Sequence, residues 1–157
     1  MACLFLKPLE EALRSGDPIR AIIRNTGINQ DGKTPGITYP SGNAQSSLIR
    51  QVYQQAGLDA SDTTYVELHG TGTQAGDPVE ALAIHEALFR SPSNPPLLVG
   101  SVKTNVGHLE GASGLTGLVK TVMMLERQTI LPVAGFEMPN KRIPLKEWNM
   151  EVSAPLS

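Results

Sequence analysis

Two histidines and a lysine occupy the places in this chain where side chains can do chemistry. His69 follows the alternating run Thr64-Tyr65-Val66-Glu67-Leu68 and opens the small-residue stretch Gly70-Thr71-Gly72-Thr73. Gln74-Ala75-Gly76-Asp77-Pro78-Val79-Glu80 then leads into an apolar-periodic segment ending near Phe89, so the histidine sits between an expected strand and an expected helix. Residues 97–111 repeat the plan: an apolar run from Leu97, small residues, then Lys103, Asn105, His108 and Glu110 before a helix that starts near Ala112. Open α/β sheets hold ligands at such strand ends, and neighbouring ends bring these groups towards one cleft. A neutral imidazole accepts a proton on one nitrogen and donates from the other, which suits acid–base work on an enolisable carbonyl near pH 7.

The elements that must position them read as follows. Residues 2–6 and 19–24 are apolar or β-branched and predict strands, with a short helix over 9–14 entered through Pro8 and ended at Ser15-Gly16-Asp17-Pro18. Residues 25–40 lack apolar periodicity and predict a loop that binds or covers something. Ser41-Gly42-Asn43 caps a helix over 44–56 with Leu48, Val52 and Ala56 on one face and Gly57 at its end. A helix over 79–89 buries Val79, Leu82, Ala83 and Leu88. His85 on it reads as structural. A last helix over 115–127 offers Leu118, Val119, Val122, Met123 and Leu125 to the core, a strand follows over 129–133, and the tail beyond Phe136 looks irregular. Alternating strands and helices predict an α/β fold, a layered sheet with flanking helices.

With 157 residues, 40% hydrophobic and 18% charged, the chain suits one globular domain, 1–157. A net charge of −2 gives no basic field for nucleic acid or an anionic membrane. No apolar run nears the roughly 20 residues that span a bilayer, and the start has no secretory pattern, so a cytoplasmic protein is expected. The single cysteine forms no internal disulfide, no metal-ligand spacing is present, and no cofactor or metal is expected.

The paired motifs VELHGTGTQAGDPVE and GSVKTNVGHLEGASG resemble those of β-ketoacyl synthase domains, above all in modular and fungal-type polyketide synthases. The flanking stretch from FLKPLEEALRSGDP to NQDGKTPGIT and the late NMEV are similar to the second half of such a domain, so the resemblance implies one half of the two-lobed thiolase fold. It also implies roles. His69 and His108 would flank a substrate thioester, Lys103 would be the motif lysine, and Asp77 and Glu80 would hold that lysine's network. Thr71, Thr73, Asn105 and Glu110 would support them. Leu68 departs from the family's alanine before the first histidine and would repack the cleft; Lys141, where many relatives carry a proline, is neutral. The family's nucleophilic cysteine belongs to the other half of such a domain, and Cys3 lies outside any such motif.

Three readings follow. The chain is a piece of a condensing synthase, inactive alone because no acyl-enzyme forms without a thiolate. Or it is a non-catalytic module that docks on a synthase or carrier protein. Or, the reading that the intact motifs favour, it is a stand-alone truncated relative that uses its histidines to close a carrier-bound polyketide thioester into a lactone such as an α-pyrone. The partner expected is a polyketide acyl thioester on an acyl carrier protein or synthase. A lone lobe would also expose apolar surface that a homodimer covers.

Overall fold

A computed structural model describes residues 3–36 and 39–153 of the chain. Three short parallel strands carry its architecture: β1 (Tyr65–Glu67), β2 (Leu97–Gly100) and β3 (Met150–Val152), in the order β1-β2-β3. Val66 pairs with Val99 and Val99 with Val152, so these three share one face together with Leu97 and Met150. Leu97 and Val99 are almost fully buried, as expected of a central parallel strand covered on both sides.

Helix α2 (Gly42–Ala56) packs on α3 (Gly76–Ala87), and Ile84, Leu88, Leu97, Val99 and Met150 form the core beneath them. The expected cap holds: Ser41 Oγ accepts the Ala44 N–H, and Gly57 ends α2 in the left-handed region. Helix α3 begins earlier than its apolar period suggests, at Gly76, because Thr73 receives the first free amides through its hydroxyl and carbonyl. Ala81, Ala83, Ile84 and the following Leu88 are buried, whereas Leu82 is exposed, so the buried side lies one position away from the expected one. His85 is structural as read, stacked on Trp148 with 5.0 Å between centroids.

Helix α5 (Ser113–Arg127) packs against β1, on the face where the Tyr65 and Glu67 side chains point. It follows a 3-10 turn over Glu110–Ala112 and a short helix, α4 (Lys103–Val106), that the small residues concealed. Its buried positions are Ser113, Gly117 and Met124; Met123 and Leu125 are exposed, contrary to expectation.

Helix α1 (Leu9–Ser15) forms as expected, but the strands expected over 2–6, 19–24 and 129–133 do not. Residue 2 lies outside the described residues, and 3–6 is extended without a partner. β-Branched residues favour extended backbone, but a strand also needs a neighbouring edge. Ile19, Ile22 and Ile23 are accordingly exposed, and Arg20 fastens their segment to α5 through Glu126. Near 129–133 a single amide, Val133 N–H, reaches Ser153 O beyond β3. The tail is less irregular than expected, since β3 forms within it. Of the loop over 25–40, positions 37 and 38 lie outside the described residues. Its first part runs along α2, where Asn25 and Asn29 donate to Val52 O and Ala44 O, so what it covers is the Leu48 and Val52 side of that helix. No helix among the described residues is long and apolar enough to cross a membrane.

Candidate active site

His69 and His108 meet edge to face, with 5.3 Å between ring centroids and 88° between planes. Each leaves the end of a strand in the same parallel pair, and the last ladder bond, Leu68 N–H to Gly100 O at 2.7 Å, lies just before the first histidine. The two loops then touch. Gly70, at φ +45°, would place a Cβ only 2.9 Å from Ser101 Cβ, so both the backbone conformation and the close approach call for glycine.

The loop after His69 is gripped from α3. Glu80 accepts the His69 N–H at 2.6 Å on one carboxylate oxygen and the Gly70 N–H at 2.9 Å on the other, and Asp77 accepts the Gly72 N–H at 3.1 Å. These carboxylates, one turn apart on α3, therefore satisfy loop amides and do not hold Lys103, correcting the role implied for them. The three ion pairs among the described residues join Lys7 to Asp17, Arg20 to Glu126 and Lys120 to Glu67; Lys103 is in none. It lies half-buried at the start of α4. Thr73 serves the start of α3, Thr71 is half-buried in the loop, and Asn105 is exposed, accepting from the Thr104 hydroxyl.

His108 is held by its own turn. The Glu110 N–H donates to His108 Nδ1 at 3.0 Å, and Ser113 Oγ lies 2.9 Å from the same atom. A backbone amide can only donate, so Nδ1 of the neutral ring carries the lone pair and Nε2 carries the proton. Glu110 thus acts through its backbone, at φ +49°, and not through its carboxylate. Leu68 turns away from the imidazoles and packs on the core cluster, so it does not fill the cleft as expected.

Both histidines are exposed, and two cavities lie near the strand ends with neither imidazole in their walls. One, of about 490 Å³, is lined by Val102, Asn105, Lys120 and residues 131–137. The other, of about 380 Å³, lies under the Gly70 loop against Glu80, Val99 and Phe136. The imidazole pair stands on an open rim.

Behind the rim is a buried cluster that the motifs did not disclose. Lys120 Nζ lies 2.8 Å from both Glu67 Oε2 and Tyr65 Oη, and Tyr65 Oη donates to Glu67 Oε2 at 2.5 Å. Lys120 and Glu67 side chains are only 9% and 14% exposed. Burial, then the hydrogen bond to Glu67 and that carboxylate's charge, push the Tyr65 hydroxyl far above its ordinary value of 10.0. Above about pH 10 the unfolded chain releases this proton while the folded chain keeps it, so the folded state is the one binding more protons. The contribution is fully present below that pH and lost as pH rises. The alkaline absorbance of the folded chain should therefore match that of Tyr65→Phe, with a difference appearing only on unfolding. A difference in the folded state near pH 10 would remove Tyr65 from the buried cluster.

A family model described as the β-ketoacyl synthase C-terminal domain matches residues 20–137. A reducing polyketide synthase of Cochliobolus heterostrophus is 60% identical over 156 residues, which is 99% of this chain and 6% of that protein. A highly reducing polyketide synthase of Aureobasidium melanogenum is 59% identical over 95% of this chain and 7% of its own length. Among solved structures, the ketosynthase from module 6 of the bacillaene synthase of Bacillus subtilis superposes with a TM-score of 0.89 at 37% identity, over 96% of this chain and 28% of that one. The chain thus spans only a small part of the proteins it matches, and its fold is thiolase-like, as in those ketosynthases. With that match covering both histidine loops and most of the sequence around them, the chain belongs to the β-ketoacyl synthase C-terminal domain family.

Proposed function

We propose that this chain serves as the C-terminal lobe of a condensing domain of the highly reducing polyketide synthase kind, contributing the two-imidazole half of a decarboxylative condensation. The observation that carries this reading is the edge-to-face pair of His69 and His108 on an open rim, which neither cavity encloses. Two ring donors beside each other suit the oxygen of a carrier-bound malonyl-type thioester. Loss of carbon dioxide leaves an enolate there, and the His108 Nε2–H, with His69 beside it, meets the developing charge. The enolate carbon then attacks an acyl group held as a thioester on a cysteine and expels the thiolate. That cysteine and the missing cleft wall come from the other lobe, since Cys3 is exposed on the unpaired N-terminal arm. The exposed Phe5, Leu6, Ile22, Ile23 and Ile28 supply apolar surface for that lobe, or for a second copy of the chain, to cover.

Combining the chain with a cysteine-bearing ketosynthase lobe, an acyl thioester and a malonyl thioester tests the proposal. A β-ketoacyl thioester should form only when both lobes are present; none from the pair, in a complex that sediments as one species, would overturn it. One observation favours lactone formation as a second reading: the imidazoles are already paired within this lobe alone. It requires that the chain by itself release lactone from a β,δ-dioxo thioester faster than buffer does, with the excess lost in His69→Ala and His108→Ala.

A further inference from the structure

Between the two histidine loops the backbone ladder gives out at Leu68 and Gly100, yet the loops stay in register to the imidazoles. The side chain of Glu67 continues the connection. Its Oε1 accepts the Val102 N–H at 2.5 Å, just past the end of β2 and immediately before α4, where no side chain caps the helix. Its Oε2 receives Tyr65 and Lys120.

Lys120 comes from α5, and its position there is informative. Ser113, Gly117 and Lys120 follow the i, i+4, i+7 spacing of one helix face. Ser113 touches His108 Nδ1, and Lys120 pairs with Glu67. Gly117 lies between them with space only for the Glu67 stem, since a Cβ there would come within 3.1 Å of Glu67 Cγ. One helix face thus holds His108 at one end and grips the β1 strand end that carries His69 at the other. An isolated buried ammonium or carboxylate is costly, and here each is partnered in a single geometry.

We propose that Glu67, clamped by Lys120 and Tyr65, is a positioning residue that sets the separation and mutual angle of His69 and His108 through the Val102 amide and α5. The proposal rests on the condensing role given above for the value of that separation, but its test does not use activity. In the chain, ring-proton contacts between His69 and His108 are read by NMR, with His85→Gln removing the third histidine from the spectra, and exchange of the Val102 amide is measured alongside.

Glu67→Gln with Lys120→Met removes both charges but keeps an acceptor for Val102, so the ring contacts and amide protection should persist. Glu67→Leu with Lys120→Met is equally neutral without the acceptor. It should lose the ring contacts and exchange Val102 at least ten-fold faster, while circular dichroism shows a folded chain. Intact ring contacts in the Leu/Met variant would overturn the proposal. If that variant does not fold, Glu67→Asp decides the matter: it keeps the charge and shortens the reach by one methylene, so lost ring contacts support the clamp and retained contacts with a protected Val102 amide refute it. Absence of condensation in the assembled lobes, with these NMR results as expected, would sink the function and leave the clamp standing.

Discussion

In a complete condensing domain, His108→Ala is expected to lower kcat by about 10²–10³-fold, the usual effect of deleting one preorganised donor to a developing oxyanion. The prediction rests on the tautomer. With Nδ1 occupied by the Glu110 amide and Ser113 beside it, the proton is on Nε2, so the ring is set to donate without first turning over. Acylation of the cysteine in the other lobe should be nearly unaffected, because the loss falls on the step in which enolate charge appears. His69→Ala should produce a loss of similar size. The double variant should fall well short of the product of the two, since side chains acting on one oxygen behave as a unit. Following carbon dioxide release and product formation separately checks this, and a three-fold or smaller effect of both single substitutions would rule out the imidazoles as the donors.

The largest stability change is expected at Lys120, away from any motif histidine. Lys120→Met alone leaves Glu67 charged, largely buried and without its counter-ion, a situation that costs about 3–5 kcal/mol. Against a typical total of about 5–15 kcal/mol for a domain, that is enough to unfold much of the population. Adding Glu67→Gln removes the stranded charge while preserving an acceptor for Val102, so most of the loss should return. Urea unfolding of the single and double variants measures both. A single-variant loss under about 1 kcal/mol would mean that water reaches Glu67 and that the pair is effectively a surface one.

The two predictions concern one arrangement approached from opposite sides. Glu80 and Asp77 hold the His69 loop by its amides, and Glu67 holds the Val102 amide that precedes α4. Acidic residues that the family motifs suggest as partners of a lysine turn out to satisfy backbone donors where regular ladders end. The only one of the three in an ion pair is Glu67, and its partner is Lys120, not the motif lysine Lys103.

Local sequence determined what local physics can encode. Ser41 and Gly57 mark the ends of α2, the alternating run before His69 and the apolar run before Gly100 give β1 and β2, and glycine at position 70 follows from a left-handed turn against Ser101. The two histidines were legible as a pair because each repeats the same strand-to-loop-to-helix plan. What only the tertiary structure decided involves partners distant along the chain. Residues 19–24 have strand composition but no neighbouring edge, while Met150–Val152 has little strand signal and still pairs with β2. Lys120 reads in sequence as an ordinary helix lysine, and only packing of α5 on β1 brings it to Glu67 and Tyr65. Propensity acts on a residue and its neighbours, whereas a ladder or a buried ion pair exists only once remote segments have closed on each other.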